Sequence, residues 1–316
     1  MDQPLLSGRA VPPFLLPREF VRSPEALVRS YDLEGALAYC KWLATTHYEN
    51  FHVVSVLLPR RLHQDFFNVY AFCRWADDLG DEIGNPAESL SLLAWWKEQL
   101  DAMYRGQATH PVYLALRETV RRHALPSQPF HDLIQAFVQD QKVKRYDTWT
   151  QLFEYCRYSA NPVGRLVLSL CGYSDEPRQN LSDATCTALQ LANHWQDISV
   201  DLDKDRVYLP RELLERHGSS VDEVLQKRAT ANFRMALQEA VEVARRLFHQ
   251  GLPLAQMVNR RLAVDIELFS RGGMRILDKI ERQGYDVFAR RPSISRLERF
   301  WLLAGTVTRV ALRRTV

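Results

Sequence analysis

The sequence predicts an all-α fold, and three observations carry that prediction. Apolar residues recur at three- and four-residue spacing through most of the 316 residues, which is the period of an amphipathic helix. No stretch of alternating polar and apolar residues stands out, and no repeat of fixed period is present. The chain has only 13 glycines, which disfavours a sheet-rich fold with many tight turns, while 46% hydrophobic residues suffice for a sizeable core. We therefore expect helices packed around a central cavity.

The helices follow one another after a proline-rich stretch at residues 1–30, which we expect to be an irregular arm. The remainder, residues 31–316, is predicted as one α-helical domain because no linker divides it. Pro59 and the turn at 84–86 separate the first helices. Pro162 is expected to kink a later one. The predicted helices span residues 33–51, 61–83, 87–105, 110–123, 130–145, 149–170, 181–203, 221–250, 254–283 and 293–311.

Charge and cysteine content bear on partners and compartment. The net charge of +3 excludes no class by itself, but no polybasic tract is present, so we expect no nucleic-acid partner. The 5 cysteines are odd in number and form no CxxC motif, which is typical of free thiols in a cytoplasmic protein. The N-terminus lacks the pattern of a signal peptide, and no apolar run reaches the length of a membrane span. Arg309, Arg313 and Arg314 indicate either a peripheral contact with the inner face of the cell membrane or a solvated tail.

A polar stripe at residues 193–205 is the most informative feature of the chain. Asn193, Asp197, Asp201 and Asp205 recur every fourth residue, so on a helix they share one face, and the residues between them include an apolar side. Carboxylates in a row repel one another unless a cation lies among them. Oxygen ligands alone favour Mg²⁺ over zinc or iron. A solvated acidic face is the alternative for one such stripe taken alone.

A second acidic stripe, at residues 77–82, favours the metal. Asp77 and Asp81 are four residues apart, as are Asp78 and Glu82, and they continue a largely apolar run that we expect to be buried. Buried acids are costly unless they are paired or bind metal. Two acidic helices facing each other across a cavity would hold several Mg²⁺ ions, and these would hold a diphosphate. The expected chemistry is ionisation of that diphosphate, which leaves an allylic or cyclopropylcarbinyl cation.

With both stripes in place, the chain resembles the squalene/phytoene synthase family from about residue 47 to residue 295. The resemblance implies the isoprenoid synthase fold and Mg²⁺-dependent, head-to-head chemistry on farnesyl or geranylgeranyl diphosphate. The family's first motif stands here as Tyr70, Arg74, Asp77, Asp78 and Asp81. Its second stands as Gln190, Asn193, Asp197, Asp201, Arg206 and Tyr208, and a Tyr-Cys pair stands as Tyr155 and Cys156. An upstream acid matches Asp140, and a C-terminal Arg-Arg pair looks like Arg290 and Arg291.

Departures from the family pattern narrow the resemblance. Glu49 stands in the stretch after His47 where members that couple two farnesyl diphosphates carry basic or hydroxyl groups. Asn161 and Pro162 stand in a segment that usually reads Val-Ala-Gly-x-Val-Gly, and Gln196 stands where relatives often have arginine. These features resemble the hopanoid-pathway branch of bacterial squalene synthase homologues. That branch implies a lyase that ionises presqualene diphosphate and lets water capture the cation as hydroxysqualene.

The resemblance also implies roles for individual residues. The metal ligands are the carboxylates of Asp77, Asp81, Asp197 and Asp201 with the amide oxygen of Asn193, and Asp78 and Glu82 are expected behind them or facing outward. The diphosphate contacts are Arg74, Arg206, Tyr208, His47, Gln190 and Asn193. The catalytic candidates are Tyr70 and Tyr155 beside the cation and Glu49 and Asn161 beside the quenching water, with Phe51 in the hydrocarbon pocket. His194 is expected to point away from the metals. For Arg206 a salt bridge to Asp203 is the alternative, and for Tyr155 an ordinary core tyrosine.

Two rival functions remain at this point. One is a transferase that condenses two farnesyl diphosphates to squalene, dehydrosqualene or a phytoene-like product. No Gly-rich fingerprint for NADPH is present, so no nicotinamide cofactor is expected. The other is a helical scaffold or inactive homologue that assembles with enzymes of the same pathway. A scaffold has no physical reason to keep repelling carboxylates on two buried helices.

Overall fold

The computed structural model describes residues 14–46 and 58–312, and over these ranges the chain is helical without a β-strand. The all-α prediction is confirmed. Among the described residues, the one pairing of extended backbone is an isolated bridge between Arg145 and Val207. No helix in the described ranges is long and apolar enough to cross a membrane. The α-helices are α1 Pro17–Phe20, α2 Pro24–Val28, α3 Leu33–Thr46, α4 His63–Asp81, α5 Pro86–Tyr104, α6 Pro111–His123, α7 Gln128–Lys142, α8 Trp149–Ser159, α9 Asn161–Leu170, α10 Glu176–Asp201, α11 Arg211–Arg216, α12 Val221–Leu225, α13 Ala231–Gly251, α14 Arg260–Arg282 and α15 Arg296–Leu312.

Two large apolar clusters form the core. The first lies among α3 to α7 and contains Trp75 and Trp96, which stack with ring centroids 4.9 Å apart. The second lies among α8, α10, α13 and α14 and contains Trp195, whose Nε1 donates to the Ala240 carbonyl at 3.1 Å. Helix α4 packs in the first cluster and α10 in the second. The acidic ends of these two helices therefore meet where the clusters adjoin.

Helix ends follow local capping chemistry. The Asp175 side chain accepts from the Arg178 N–H, so α10 begins at Glu176, five residues before its predicted start. The predicted helix at 149–170 is two helices, since α8 ends at Ser159 and Pro162 lies in the first turn of α9. The kink expected at Pro162 is thus a break. The predicted helix at 221–250 is also divided, since Lys227 adopts a positive φ of 53° after α12.

The proline-rich arm differs from the irregular segment expected at residues 1–30. Where the structure describes it, the arm contains the short helices α1 and α2, each opened by a proline. Phe20 is buried against Trp75, with ring centroids 5.2 Å apart, so the arm belongs to the first cluster. Burial of the Phe20 ring holds the arm against the core, although its proline content alone predicted an irregular segment.

Candidate active site

The two acidic stripes line one cavity. Asp77 and Asp81 come from the last turns of α4, and Asn193, Asp197 and Asp201 come from the C-terminal half of α10. The four-residue spacing places each set on one helix face. The cavity measures about 300 Å³, and α7, α8 and the segment after α10 complete its wall. Its other lining residues are Leu133, Ala136, Phe137, Asp140, Tyr155, Ser159, Gln190, His194, Arg206 and Tyr208.

Asp205 leaves the second stripe. It takes a left-handed conformation with φ of 54° after a 3₁₀ turn at Leu202–Lys204, and it pairs with Arg145 outside the cavity. The helix ends at Asp201, so the four-residue spacing no longer applies to Asp205. The stripe that reaches the cavity is Asn193, Asp197 and Asp201.

Burial and mutual repulsion set the charge state of the acids. Burial raises the pKa of Asp201 to about 7, and the charge on Asp197 adds to the shift. Burial also raises the pKa of Asp77, although Arg74 opposes it. For Asp81 burial acts in the same direction, but the hydrogen bond from Lys204 and the charge on Arg206 outweigh it and lower the pKa. Asp201 is therefore the stripe acid that changes charge nearest neutral pH.

Basic side chains reach four acids of the two stripes. Lys204 Nζ lies 2.6 Å from Asp81 Oδ2, and Arg206 Nη2 lies 3.1 Å from Asp81 Oδ1. Arg291 donates hydrogen bonds from two guanidinium nitrogens to Asp197, and its Nη2 lies 3.0 Å from Asp197 Oδ2. Arg74 Nη1 lies 3.2 Å from Asp77 Oδ2 and its other nitrogen pairs with Asp78. The acidic stripes are thus ringed by fixed positive charge, which suits an anionic ligand that enters with metal ions.

Aromatic side chains form part of the wall of the acidic cavity. The rings of His194 and Tyr208 stack with centroids 3.6 Å apart, and Tyr155 lies 5.7 Å from Tyr208. The Tyr155 hydroxyl donates to Asp140 Oδ2 at 3.0 Å. Burial lowers the pKa of His194 to about 3, so its ring is neutral and its Nε2 accepts from the Gln190 amide at 3.3 Å. The wall offers ring faces and no exposed positive charge of its own.

An apolar cavity of about 370 Å³ adjoins the acidic one, and Asn193 lines both. It lies among α9, α10 and α14. Its wall is built largely of Val163, Val167, Leu168, Leu189, Ile266 and Phe269, with Leu58, Leu254 and Leu262 closing it and Ser182 and Asp265 adding polar atoms. A ligand with a charged head and a hydrocarbon tail matches this pair of cavities.

The carboxylates and amide of the acidic cavity fit Mg²⁺ by their chemistry, since all are oxygen donors. Within residues 14–46 and 58–312, however, no three histidine, cysteine or acidic side chains are close enough to form a ready-made metal cage. Mg²⁺ commonly takes one or two carboxylates from the protein and completes its shell with water and substrate phosphates. The acidic stripes on α4 and α10 each supply a few oxygen atoms. They therefore fit Mg²⁺ that is shared with water and substrate phosphates, and not Mg²⁺ enclosed by protein ligands alone.

Comparison with known proteins gives the family. The squalene/phytoene synthase family pattern matches residues 44–298. The chain belongs to the squalene/phytoene synthase family. A crystal structure of squalene synthase HpnC from Alicyclobacillus acidocaldarius is similar over 80% of this chain and 96% of its own, at 46% identity with a TM-score of 0.78. Hydroxysqualene synthase of Rhodopseudomonas palustris is 32% identical over 84% of this chain and 90% of its own, and phytoene synthase of Thermus thermophilus is 31% identical over 81% and 87%.

These comparisons confirm three expectations. The resemblance to the squalene/phytoene synthase family was right, and squalene synthase HpnC and hydroxysqualene synthase are among the similar proteins. The isoprenoid synthase fold is confirmed by the HpnC structure. The chain is an enzyme, because its relatives in the squalene/phytoene synthase family are synthases of squalene, phytoene and hydroxysqualene.

Most family-motif residues come together in the structure. Nine of the predicted site residues line the acidic cavity, namely Asp77, Asp81, Tyr155, Gln190, Asn193, Asp197, Asp201, Arg206 and Tyr208. Tyr70 and Arg74, one turn apart on α4, and Asn161 are not among the described residues of its lining. Asn161 Oδ1 instead accepts a hydrogen bond from Thr187 Oγ1 at 3.0 Å. The predictions for His47, Glu49 and Phe51 lie outside the described residues.

One expectation about the second motif differs from the structure, and the alternative given for Arg206 is not found. His194 was expected to point away from the metals, but it lines the acidic cavity, where its ring stacks on that of Tyr208. Arg206 pairs with Asp81 and not with Asp203, which lies 3.7 Å from Lys227 on the surface.

Sequence reasoning gave no role to three further members of the site. Asp140 lines the acidic cavity, while Lys204 and Arg291 pair with its acids. Asp140 and Arg291 were noted only as matches to the family pattern. Lys204 follows Asp201 by three residues, and this spacing was the available signal.

Proposed function

We propose that this enzyme ionises presqualene diphosphate and lets water capture the cation, giving hydroxysqualene and diphosphate, in the route to squalene and hopanoids. The observation that carries the proposal is the acidic cavity joined at Asn193 to an apolar one. The first suits a diphosphate and the second its hydrocarbon chains. Similarity to HpnC and to hydroxysqualene synthase favours this reaction within the family.

Mg²⁺ is the proposed cofactor, held by Asp77, Asp81, Asp197 and Asp201 with the Asn193 amide oxygen. When bound it supplies neutralisation of the charge that gathers on the departing diphosphate. No nicotinamide cofactor is needed, because the reaction as written oxidises and reduces nothing.

The chain's own residues hold the diphosphate and shield the cation. Arg206 offers a planar guanidinium fork with one nitrogen on Asp81, and Lys204 offers an ammonium at the same carboxylate. Tyr155 and Tyr208 line the cavity, and an aromatic ring stabilises a cation that lies against its face. Neutral His194 adds no repulsion beside that cation.

The proposed step balances without a further reactant. The carbon–oxygen bond to the diphosphate breaks, and the electron pair leaves with the diphosphate. The cation rearranges, a water oxygen forms the new carbon–oxygen bond, and one proton is released. Glu49 and Asn161 remain the residues proposed to place that water. The Asn161→Gly variant tests the second of them, since hydroxysqualene as its sole product would remove Asn161 from this role.

A product assay tests the proposal. Purified enzyme with Mg²⁺ and no nicotinamide cofactor receives presqualene diphosphate in one sample and farnesyl diphosphate in another. We expect hydroxysqualene from the first sample and no consumption in the second. Consumption of farnesyl diphosphate would make the enzyme a condensing transferase, which is the second candidate. The similarity to phytoene synthase of Thermus thermophilus favours that candidate.

The proposal includes a cytoplasmic location at the inner face of the cell membrane and contact with enzymes of the same pathway. All 5 cysteines are free, which supports a reducing compartment. Both the substrate and the product are largely hydrocarbon, which supports exchange through a lipid surface.

A further inference from the structure

The apolar cavity follows one face of α10 away from the acidic cavity. From Asn193, which lines both cavities, the α10 residues of its wall run back through Leu189 and Cys186 to Ser182. Neighbours in this series are three or four residues apart, so they share one helix face. At 1.5 Å per residue, the wall from Asn193 to Ser182 is about 16 Å long. Ser182 therefore marks the deep end of the cavity.

Asp265 of α14 lies at the same depth as Ser182. Helices α10 and α14 pack together and begin side by side, since Arg178 Nε donates to the Met257 carbonyl at 2.7 Å. Ser182 and Asp265 each lie about two turns past the N-cap of their helix, both line the cavity, and they are 4% and 6% exposed. The charge on Asp265 adds to the burial that raises the pKa of the Cys171 thiol to about 11, which places the carboxylate near the end of α9.

A hydrocarbon chain in this cavity meets apolar side chains before it meets the pair of Ser182 and Asp265. Leu189 and Phe269 lie on the side of the acidic cavity, one to two turns further along their helices. Behind the pair, the cavity is closed by a small buried cluster of Leu168, Leu254 and Leu262. A buried carboxylate and hydroxyl gain no hydrogen bond from hydrocarbon placed against them, so that contact is unfavourable.

The length of an isoprenoid chain decides whether it reaches the pair. An extended chain advances about 1.2 Å per bond, so a farnesyl main chain is about 13 Å long and a geranylgeranyl main chain about 18 Å. Both lengths are measured from the Asn193 end, where the diphosphate would lie. The farnesyl chain ends short of Ser182 and Asp265, whereas the geranylgeranyl chain must pass between them.

We propose that Asp265 and Ser182 form a polar stop in the apolar cavity, which admits chains of farnesyl length and excludes chains one isoprene unit longer. The inference rests on the proposed use of the two cavities by an isoprenoid diphosphate, and it adds the chain length of that substrate. It selects presqualene diphosphate over the homologue built from geranylgeranyl diphosphate. The selection comes from polarity at the deep end and not from a bulky side chain.

Binding of two inert analogues to the full chain tests the inference. Farnesyl thiodiphosphate and geranylgeranyl thiodiphosphate, each with Mg²⁺, are titrated calorimetrically into the wild type and the variants. We expect the wild type to bind the farnesyl analogue more tightly by about tenfold or more, because a single misfitted methylene already costs that much. Asp265→Ala removes the carboxylate, so affinity for the geranylgeranyl analogue should rise by about tenfold and affinity for the farnesyl analogue should change less.

Asp278→Ala is the matched control. It removes a carboxylate from the same helix, but Asp278 pairs with Arg245 at 2.8 Å and does not line the apolar cavity. The control should keep the wild-type ratio of the two affinities. Ser182→Ala removes only the hydroxyl of the polar stop, so it should move the ratio in the same direction as Asp265→Ala and by a smaller factor.

Equal affinity of the wild type for the two analogues would overturn the inference. A folded Asp265→Ala variant that keeps the wild-type ratio would also overturn it, since a carboxylate that only supports the fold changes stability and not selection. If Asp265→Ala fails to fold, an unchanged ratio in Ser182→Ala has the same meaning.

The ratio of affinities does not depend on which reaction follows binding. Consumption of farnesyl diphosphate in the product assay would therefore contradict the proposed reaction and leave the polar stop intact. Failure of both analogues to bind would remove the site for an isoprenoid diphosphate, and the polar stop with it.

Discussion

Asp201 should make Mg²⁺ binding depend on pH near neutrality. Burial and Asp197 raise the pKa of this carboxyl to about 7, so its proton is held below that pH and must leave before a metal can bind. Affinity for Mg²⁺ with inorganic pyrophosphate should therefore fall as the pH drops, by at most about tenfold per pH unit for this one proton. Isothermal titration calorimetry between about pH 5.5 and 8 measures it.

Pyrophosphate also takes up protons in this pH range. The contribution of Asp201 is therefore the difference between the pH dependence of affinity in the wild type and that in Asp201→Asn. The variant should bind more weakly with a shallower pH profile. Asp203→Asn changes an exposed acid of the neighbouring turn and should leave the wild-type profile unchanged. Equal slopes in wild type and Asp201→Asn would contradict the prediction.

Arg206 and Lys204 pair with the same carboxylate but should contribute differently to stability. The Arg206 side chain is 10% exposed, with Asp81 at 3.1 Å, whereas Lys204 is 48% exposed, with Asp81 at 2.6 Å. Removing Arg206 leaves buried negative charge at Asp81 and Asp140, so Arg206→Met should cost about 3 kcal/mol of unfolding free energy. Lys204→Met should cost less than about 1 kcal/mol, because solvent screens an exposed pair.

Urea unfolding of the two variants measures this difference, with unchanged slopes showing that both report the same transition. Comparable losses for Arg206→Met and Lys204→Met would mean that Arg206 is held for the ligand and adds little to the fold.

Gly251 allows α13 to approach α10 at close range. A Cβ at this position would lie 2.9 Å from the Leu181 carbonyl oxygen and 3.0 Å from the Thr185 nitrogen, and backbone atoms cannot swing away. Gly251→Ala should therefore lower the unfolding free energy by about 1–3 kcal/mol. The matched control is Gly272→Ala on α14, where a Cβ meets nothing within 4 Å and the gain in helix propensity is worth up to about 1 kcal/mol.

Thermal unfolding of both variants checks the prediction. Gly251→Ala should melt below the wild type and Gly272→Ala at or above it. If Gly251→Ala had the same Tm as the wild type, α10 and α13 would have room to separate, and their close approach would not constrain the fold.

The sequence predicted those features that are set within one helix, and it did not predict those that depend on contacts between distant residues. The stripes on α4 and α10 were predictable, because four-residue spacing is a property of one helix. The left-handed turn at Asp205 was not, since it depends on where α10 ends. Arg291 reaches Asp197 across 94 residues, and no local pattern encodes such a contact. The stacking of His194 on Tyr208, which lies beyond the end of α10, was likewise not predictable from the helix alone.

The position of the site follows from the two clusters of the core. Leu133 belongs to the first cluster and Ala136 to the second, and both line the acidic cavity from α7. Hydrophobic pattern predicted that a core of this size forms, but not that it would divide between α4 and α10. The cavity exists at that division, where charged helix ends meet without filling the space between them.

Because the acids come from helices of different clusters, a ligand that bridges them should stabilise the whole molecule. Mg²⁺ with a non-hydrolysable diphosphate, at about 100 times its dissociation constant, should add roughly 2.7 kcal/mol of stability, or about 4 °C in Tm for a chain of this length. Hydrogen exchange should slow in both α4 and α10. A double variant, Asp81→Asn with Asp201→Asn, should lose the shift, and Asp222→Asn on the exposed surface of α12 should keep it. Slower exchange in one helix alone would mean that the stripes do not share a ligand. No shift in the wild type would favour a scaffold that keeps the family's motifs without the chemistry.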